Sequence, residues 1–127
     1  DQVAYVGSMP AEALIPYYLA SDLGLCSYAP GSTVSMPIKL FDYLAAGLAV
    51  ANSLDGEIKS IVASGCGFQY QAGNATDLAS KLVALVDDRD LTGQYKAHAR
   101  ELSAQFDIAR QYGLFSRFIE DVVLDAA

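Results

Sequence analysis

Ser35-Met36-Pro37-Ile38-Lys39-Leu40-Phe41-Asp42-Tyr43-Leu44-Ala45-Ala46-Gly47 runs from the end of a polar loop through one short helix, and its surroundings decide the fold. Pro37 supplies the fixed φ and missing N–H that suit a helix start, and Gly47 supplies left-handed freedom at its end. A helix is therefore expected from Pro37 to Ala46. Immediately upstream, Ala29 to Ser35 collects Pro, Gly, Ser and Thr and reads as a loop. That loop follows the apolar run Leu23-Gly24-Leu25-Cys26-Ser27, and the helix is followed by another from Leu48 to Asn52. Strand, loop, helix and strand in this order describe a parallel βαβ unit.

The same alternation continues outward. Val3-Ala4-Tyr5-Val6 reads as a buried strand ended by Gly7, and Pro10 opens a helix with Leu14, Tyr17, Tyr18 and Leu19 toward one side. Glu57 to Ser64 reads as a short helix closed by Gly65, and Phe68-Gln69-Tyr70 as a further strand. Short apolar strands without polar alternation, spaced by helices, predict an α/β, Rossmann-like parallel sheet of about four strands covered on both faces. The second half is helical. Asn74 or Thr76 can cap a helix carrying Leu78, Leu82, Leu85 and Val86 at helical spacing. Leu91, Tyr95, Ala99, Leu102 and Phe106 mark the next, and Ile108, Tyr112, Phe115, Phe118, Ile119 and Val122 the last.

Composition excludes several classes. Of 127 residues, 53% are hydrophobic and 18% charged, so a packed core is expected instead of disorder. The net charge of −7 is spread over both halves, which argues against a nucleic-acid partner and against an anionic membrane surface. No apolar run reaches the ~20 residues of a membrane span. Cys26 and Cys66 lack metal-ligand spacing and His98 stands alone, so free cytosolic thiols are expected and no metal or bound cofactor. The chain opens without Met on a strand-like run, as expected of a piece of a longer protein.

The chemistry is expected at the front of the central helix. In open α/β sheets, ligands bind beyond the carboxyl ends of the strands. The first amides of a helix lack backbone acceptors and sit at the positive end of its dipole, so a diphosphate is the natural guest of Ser35, Met36, Pro37, Ile38 and Lys39. Lys39 in the first turn opposes the dipole unless an anion completes the site. Asp42, three residues on, offers an acceptor-only carboxylate suited to the hydroxyls of a ribose. Ser27 and Tyr28, at a strand end, are weaker candidates for the same crevice. The bland alternative is a Lys39–Asp42 surface ion pair at i, i+3, worth a few tenths of a kcal/mol.

The pattern Pro37-x-Lys39-Leu40-x-Asp42-Tyr43-Leu44-Ala45-x-Gly47, then Leu48-Ala49-Val50, resembles the P-x-K-x-x-E-Y-x-A-x-G-x-P-V segment of family 4 retaining glycosyltransferases. Val3 to Gly7, Ala20 to Leu25, Gly65 to Phe68 and Gly73 to Leu78 extend the likeness over nearly the whole chain. The resemblance implies a GT-B fold, with residues 1–127 a single, truncated C-terminal donor-binding domain. It implies transfer of a sugar from a UDP- or GDP-linked donor to a glycan or lipid-linked acceptor, as in polysaccharide biosynthesis, with no further cofactor. It also implies a cytoplasmic enzyme that can sit at the inner face of a membrane. Met36 to Lys39 would then touch phosphate and Asp42 the ribose. The sequence departs from the family pattern at Val34, where many members carry a further Glu, and in having Asp for Glu at position 42. The upstream strands and the basic pair of the family are absent, so the chain alone is expected to be inactive and to need an N-terminal acceptor domain. A sheet edge left open invites a homo-oligomer or swapped assembly. The final helix resembles the strap that returns to the N-terminal domain, with Phe115, Phe118 and Ile119 as its docking face, although a core stripe is the simpler reading. A non-catalytic assembly module is the competing class.

The remaining candidates read as structural. His98 is expected to be a solvated helix residue, and Gly65-Cys66-Gly67 a turn, since it precedes a strand and lacks a third glycine. Tyr17 and Tyr18 read as helix packing. Asp87, Asp88 and Asp90 read as an acidic inter-helix loop without calcium-site spacing.

Overall fold

The computed structural model describes residues 2–126. Its elements are α1 (Ala11–Leu19), β1 (Leu23–Cys26), α2 (Lys39–Ala46), β2 (Ala49–Asn52), α3 (Glu57–Ile61), β3 (Gly67–Gln69), α4 (Ala75–Asp87), α5 (Arg89–Ser103) and α6 (Ile108–Asp125). The strands form one parallel sheet in the order β1-β2-β3. Leu23 pairs with Ala49 and Cys26 with Asn52, while Val50 pairs with Gly67 and Asn52 with Gln69. Every residue of the central strand β2 is buried, as expected of a strand covered on both faces. Its Val50 packs with Cys26, Leu40, Leu44, Ile58 and Val62 into the core.

Local chemistry accounts for the boundaries. Gly47 ends α2 in the left-handed conformation, φ 67°. Asn74 Oδ1 caps α4 by accepting from the Asp77 amide at 2.9 Å, and Asp88 caps α5 by accepting from the Leu91 amide at 2.9 Å. Asp88 belongs to the acidic run Asp87, Asp88 and Asp90, whose role at this corner is thus the helix start. Tyr43 lies flat on Gly24 in β1, where any Cβ would collide with the ring, and meets Tyr18 edge-on at 5.8 Å. That contact docks α1 onto α2.

The structure corrects several expectations. The sheet has three strands, because Val3-Ala4-Tyr5-Val6 forms none: Val3 is 89% and Tyr5 95% exposed. A strand exists only through a neighbour's ladder, and the free edge of β1 does not take this run up. In α1 the inward side chains are Leu14 and Tyr18, both half-buried, while Tyr17 and Leu19 stay exposed. The Glu57–Ser64 helix stops at Ile61 and widens into a π-turn over Val62–Cys66, with Gly65 at φ 117°. The third strand begins at Gly67 and stops before Tyr70. Leu85 is buried in α4 but Val86 is exposed. The core-stripe reading of the last helix also fails. None of its residues is buried, because α6 leaves the domain after the 3-10 turn Ala104–Phe106, and Ile108, Tyr112, Phe115, Phe118, Ile119 and Val122 all remain exposed. Asp107 caps it by accepting from the amides of Ala109 and Arg110.

Cys26 and Cys66 are free and fully buried. Burial pushes both thiols up to about 11, the nearby Lys39 charge offsetting a little of this at Cys26. A thiol whose pKa is raised by folding contributes stability that is complete below its unfolded value and is lost as pH rises toward the folded one. Thiol reagent at pH 8 is therefore expected to titrate neither cysteine in the native protein and both in guanidinium. The urea midpoint is expected to fall between pH 9 and 11.

Candidate functional site

The carboxyl ends of all three strands open on one edge of the sheet, at Ser27-Tyr28, Ser53-Leu54 and Tyr70-Gln71. Because α2 follows β1 through a loop, its front also lies at this edge. Met36 packs against the core and Pro37 is buried, so the two side chains anchor the turn. Ile38 is 81% exposed, and Ser35 is exposed. The first helical bonds run from the Leu40 amide to Pro37 O and from the Phe41 amide to Ile38 O, each 3.0 Å. No side chain caps this end. Among the described residues, the amides of Ile38 and Lys39 have no protein acceptor.

Lys39 Nζ lies 4.8 Å from the ring centre of Tyr28. This cation–π contact, worth ~0.5–1 kcal/mol where solvent reaches it, gives the lysine a structural partner against the helix dipole. Tyr28 is itself held by its backbone, the N–H donating to Ser53 Oγ at 2.9 Å. Asp42 is exposed and makes no ion pair among the described residues, so the surface pair Lys39–Asp42 does not form. Asp42 borders a groove between α1 and α2 formed by Leu14, Ile15 and Tyr18, whereas Lys39 leans toward β1. Ser27 is exposed at its strand end.

A cavity of about 630 Å³ opens at the same edge, above β2 and β3. Its walls include Ala29 to Ser32 from the loop, Ser53 to Asp55 after β2, and Gln69 to Ala72 at the end of β3. Lys59, Asp77 and Lys81 complete it. Behind its Leu54 and Gln69 walls runs an amide network centred on the buried Asn52. Asn52 Nδ2 donates to Leu54 O at 2.8 Å and to Gln69 Oε1 at 2.7 Å, and Asn52 Oδ1 accepts from the Leu54 amide at 3.1 Å. Gln69 Nε2 adds a bond to Leu54 O at 2.9 Å. On one wall, Lys81 Nζ bridges Gln69 O and Asp77, and the Gln71 amide donates to Asp77 Oδ2 at 2.7 Å. The Gln71 amide first, then Lys81, hold the Asp77 carboxyl below the ordinary carboxylate range. Lys59 pairs with Asp55 at 2.9 Å.

Sequence reasoning missed this cavity. The strand-end rule that singled out Ser27 and Tyr28 applies equally to Ser53 and Tyr70, and was the available signal. His98 is exposed as expected, its ring lying against Gly65. No group of three metal-ligating side chains gathers among the described residues, and no helix of the described chain is long and apolar enough to cross a membrane.

No protein-family model matches the chain, and no curated protein matches it. Among solved structures, sucrose-phosphate synthase from Thermosynechococcus elongatus is similar to it, with a TM-score of 0.74 and 21% sequence identity. The match covers 95% of this chain and 31% of that one, so the chain spans about a third of the solved protein's length. The likeness shows the fold: an α/β parallel sheet with flanking helices that matches part of a GT-B glycosyltransferase.

Proposed function

We propose that this chain is the donor-binding part of a retaining glycosyltransferase that moves a sugar from a UDP- or GDP-linked donor to a glycan or lipid-linked acceptor. The observation that carries the reading is the uncapped front of α2, where the Ile38 and Lys39 amides point no bond into the protein. A diphosphate there would accept both amides and draw Lys39 from the Tyr28 ring, exchanging a weak contact for a charge-assisted one. Asp42, turned toward the α1 groove while Lys39 leans toward Tyr28, would reach the ribose hydroxyls only if the nucleoside lies over the α1 side of the helix. The shared fold with a sugar-transferring enzyme supports the assignment. Catalysis would rest on positioning the donor and stabilising charge on the leaving diphosphate. The acceptor would come from another domain, for which α6 offers an apolar strap face.

Titration calorimetry with UDP and GDP tests the reading. Wild-type protein is expected to bind one of them, and Lys39→Ala to bind about tenfold more weakly, a loss of ~1.4 kcal/mol. The absence of heat at millimolar nucleotide would overturn it. That result would favour the second reading, an assembly module, which the open edge of β1 and the bare face of α6 support.

A further inference from the structure

We propose that α6 pairs with α6 of a second copy of this chain, antiparallel and about a two-fold axis at Phe115. Along the helix, Ile108, Tyr112, Phe115, Phe118, Ile119 and Val122 share one face at helical spacing. Each keeps between 44% and 68% of its surface exposed. At roughly 200 Å² for a large side chain, the six leave on the order of 700 Å² open to solvent. The largest patch on an ordinary monomer is about 300–600 Å², whereas a stable dimer covers about 800 Å² on each partner. The face therefore has the size of one side of a dimer. The helix also needs such a cover. It is 18 residues long, carries Gly113 in its interior and has no buried residue, yet helices in proteins draw most of their stability from packing an apolar face.

Two observations name the occupant as a second copy. A two-fold interface must complement itself, residue i meeting j as j meets i. The stripe meets this condition about Phe115, with Tyr112 and Phe118 three residues to either side and Ile108 and Val122 seven. Turned end for end, it lays Phe115 on Phe115, Tyr112 on Phe118 and Ile108 on Val122. Packing against an unrelated surface requires no such symmetry. The charges then fix the direction. From Ile108 to Arg117 the helix holds Arg110 and Arg117 and no acid, and from Phe118 to Asp125 it holds Glu120, Asp121 and Asp125 and no base. Arg110 in the first turn and Asp125 at the last residue both oppose the helix's own dipole. An antiparallel partner brings its acidic end to the basic end, and its dipole runs the other way; a parallel one sets like beside like. The net charge of −7 repels a second copy on average, so the apolar face supplies the affinity and the α6 charges the direction. The pairing goes beyond the donor reading and does not rest on it.

Sedimentation velocity on the 127-residue protein tests the pairing. A species of twice the chain mass is expected at micromolar concentration. Phe115→Glu sets a carboxylate against its own copy at the axis and is expected to weaken the dimer about hundredfold. Cys26 and Cys66 should stay closed to thiol reagent in that variant, which shows that the core is still folded. Cysteine pairing reads the direction. A mixture of Ile108→Cys and Val122→Cys is expected to form a mixed disulfide under mild oxidation. Ile108→Cys alone is expected to form none, because antiparallel pairing holds the two copies of that position about 20 Å apart. A monomer up to millimolar concentration overturns the proposal and leaves the face to another domain. A dimer undiminished in Phe115→Glu overturns it as well and moves the contact to the open edge of β1. A disulfide in Ile108→Cys alone, or none in the mixture, overturns the antiparallel pair.

Discussion

Gly67→Ala is expected to lower stability by about 3–5 kcal/mol, a large share of the ~5–15 kcal/mol that holds a domain folded. Gly67 opens β3 and pairs with Val50 of the fully buried central strand. A Cβ built on it would run into the carbonyl group of Val50, which is backbone and cannot swing aside. The chain is extended at this residue, so the need for glycine comes from the close approach of two strands. Making room means pushing β3 off β2 and loosening the ladder that carries Ala51–Phe68 and Asn52–Gln69. Gly113→Ala provides the control, since a Cβ there, in the exposed helix α6, meets nothing and should stabilise that helix by ~0.5–1 kcal/mol. Urea melts followed by far-ultraviolet circular dichroism read both. A Gly67→Ala midpoint equal to wild type would show that the strands can part without cost.

Asn52→Leu carries the second large effect, about 2–4 kcal/mol of destabilisation at nearly constant volume. Asn52 is fully buried, and its amide makes three bonds, two to Leu54 and one to Gln69. Leucine would leave the buried Leu54 amide without its acceptor and the half-buried Gln69 Oε1 without its donor. The double variant Asn52→Leu/Gln69→Leu is expected to cost more than either single change, because the Leu54 carbonyl then loses both of its donors, but less than their sum, because the Asn52–Gln69 bond is lost once instead of twice. Equilibrium unfolding of the three variants measures the coupling. Additive losses would mean that the Asn52–Gln69 bond contributes nothing of its own.

The parts of the fold that sequence revealed are those decided by neighbours along the chain. The strands at Leu23 and Leu48, the left-handed Gly47 and the Asn74 cap follow from patterns a few residues long, and each is present. Val3 to Val6 has the same apolar character but no strand beside it, and pairing is a property of the sheet, invisible in a run of four residues. The site divides the same way. The bare amides of α2 were legible from Pro37 and the loop before it. The direction of Lys39 was not, because its partner Tyr28 lies across a folded loop. The cavity was equally hidden, since Ser53, Gln69 and Lys81 meet only once β2 and β3 stand in register.

Phe106, in the short turn before α6, meets Phe41 of α2 edge to face with ring centres 5.2 Å apart. The final helix thus leaves the domain from a turn pinned to the very element that presents Lys39. Whatever covers that bare side therefore sits one aromatic pair away from the helix whose front is open.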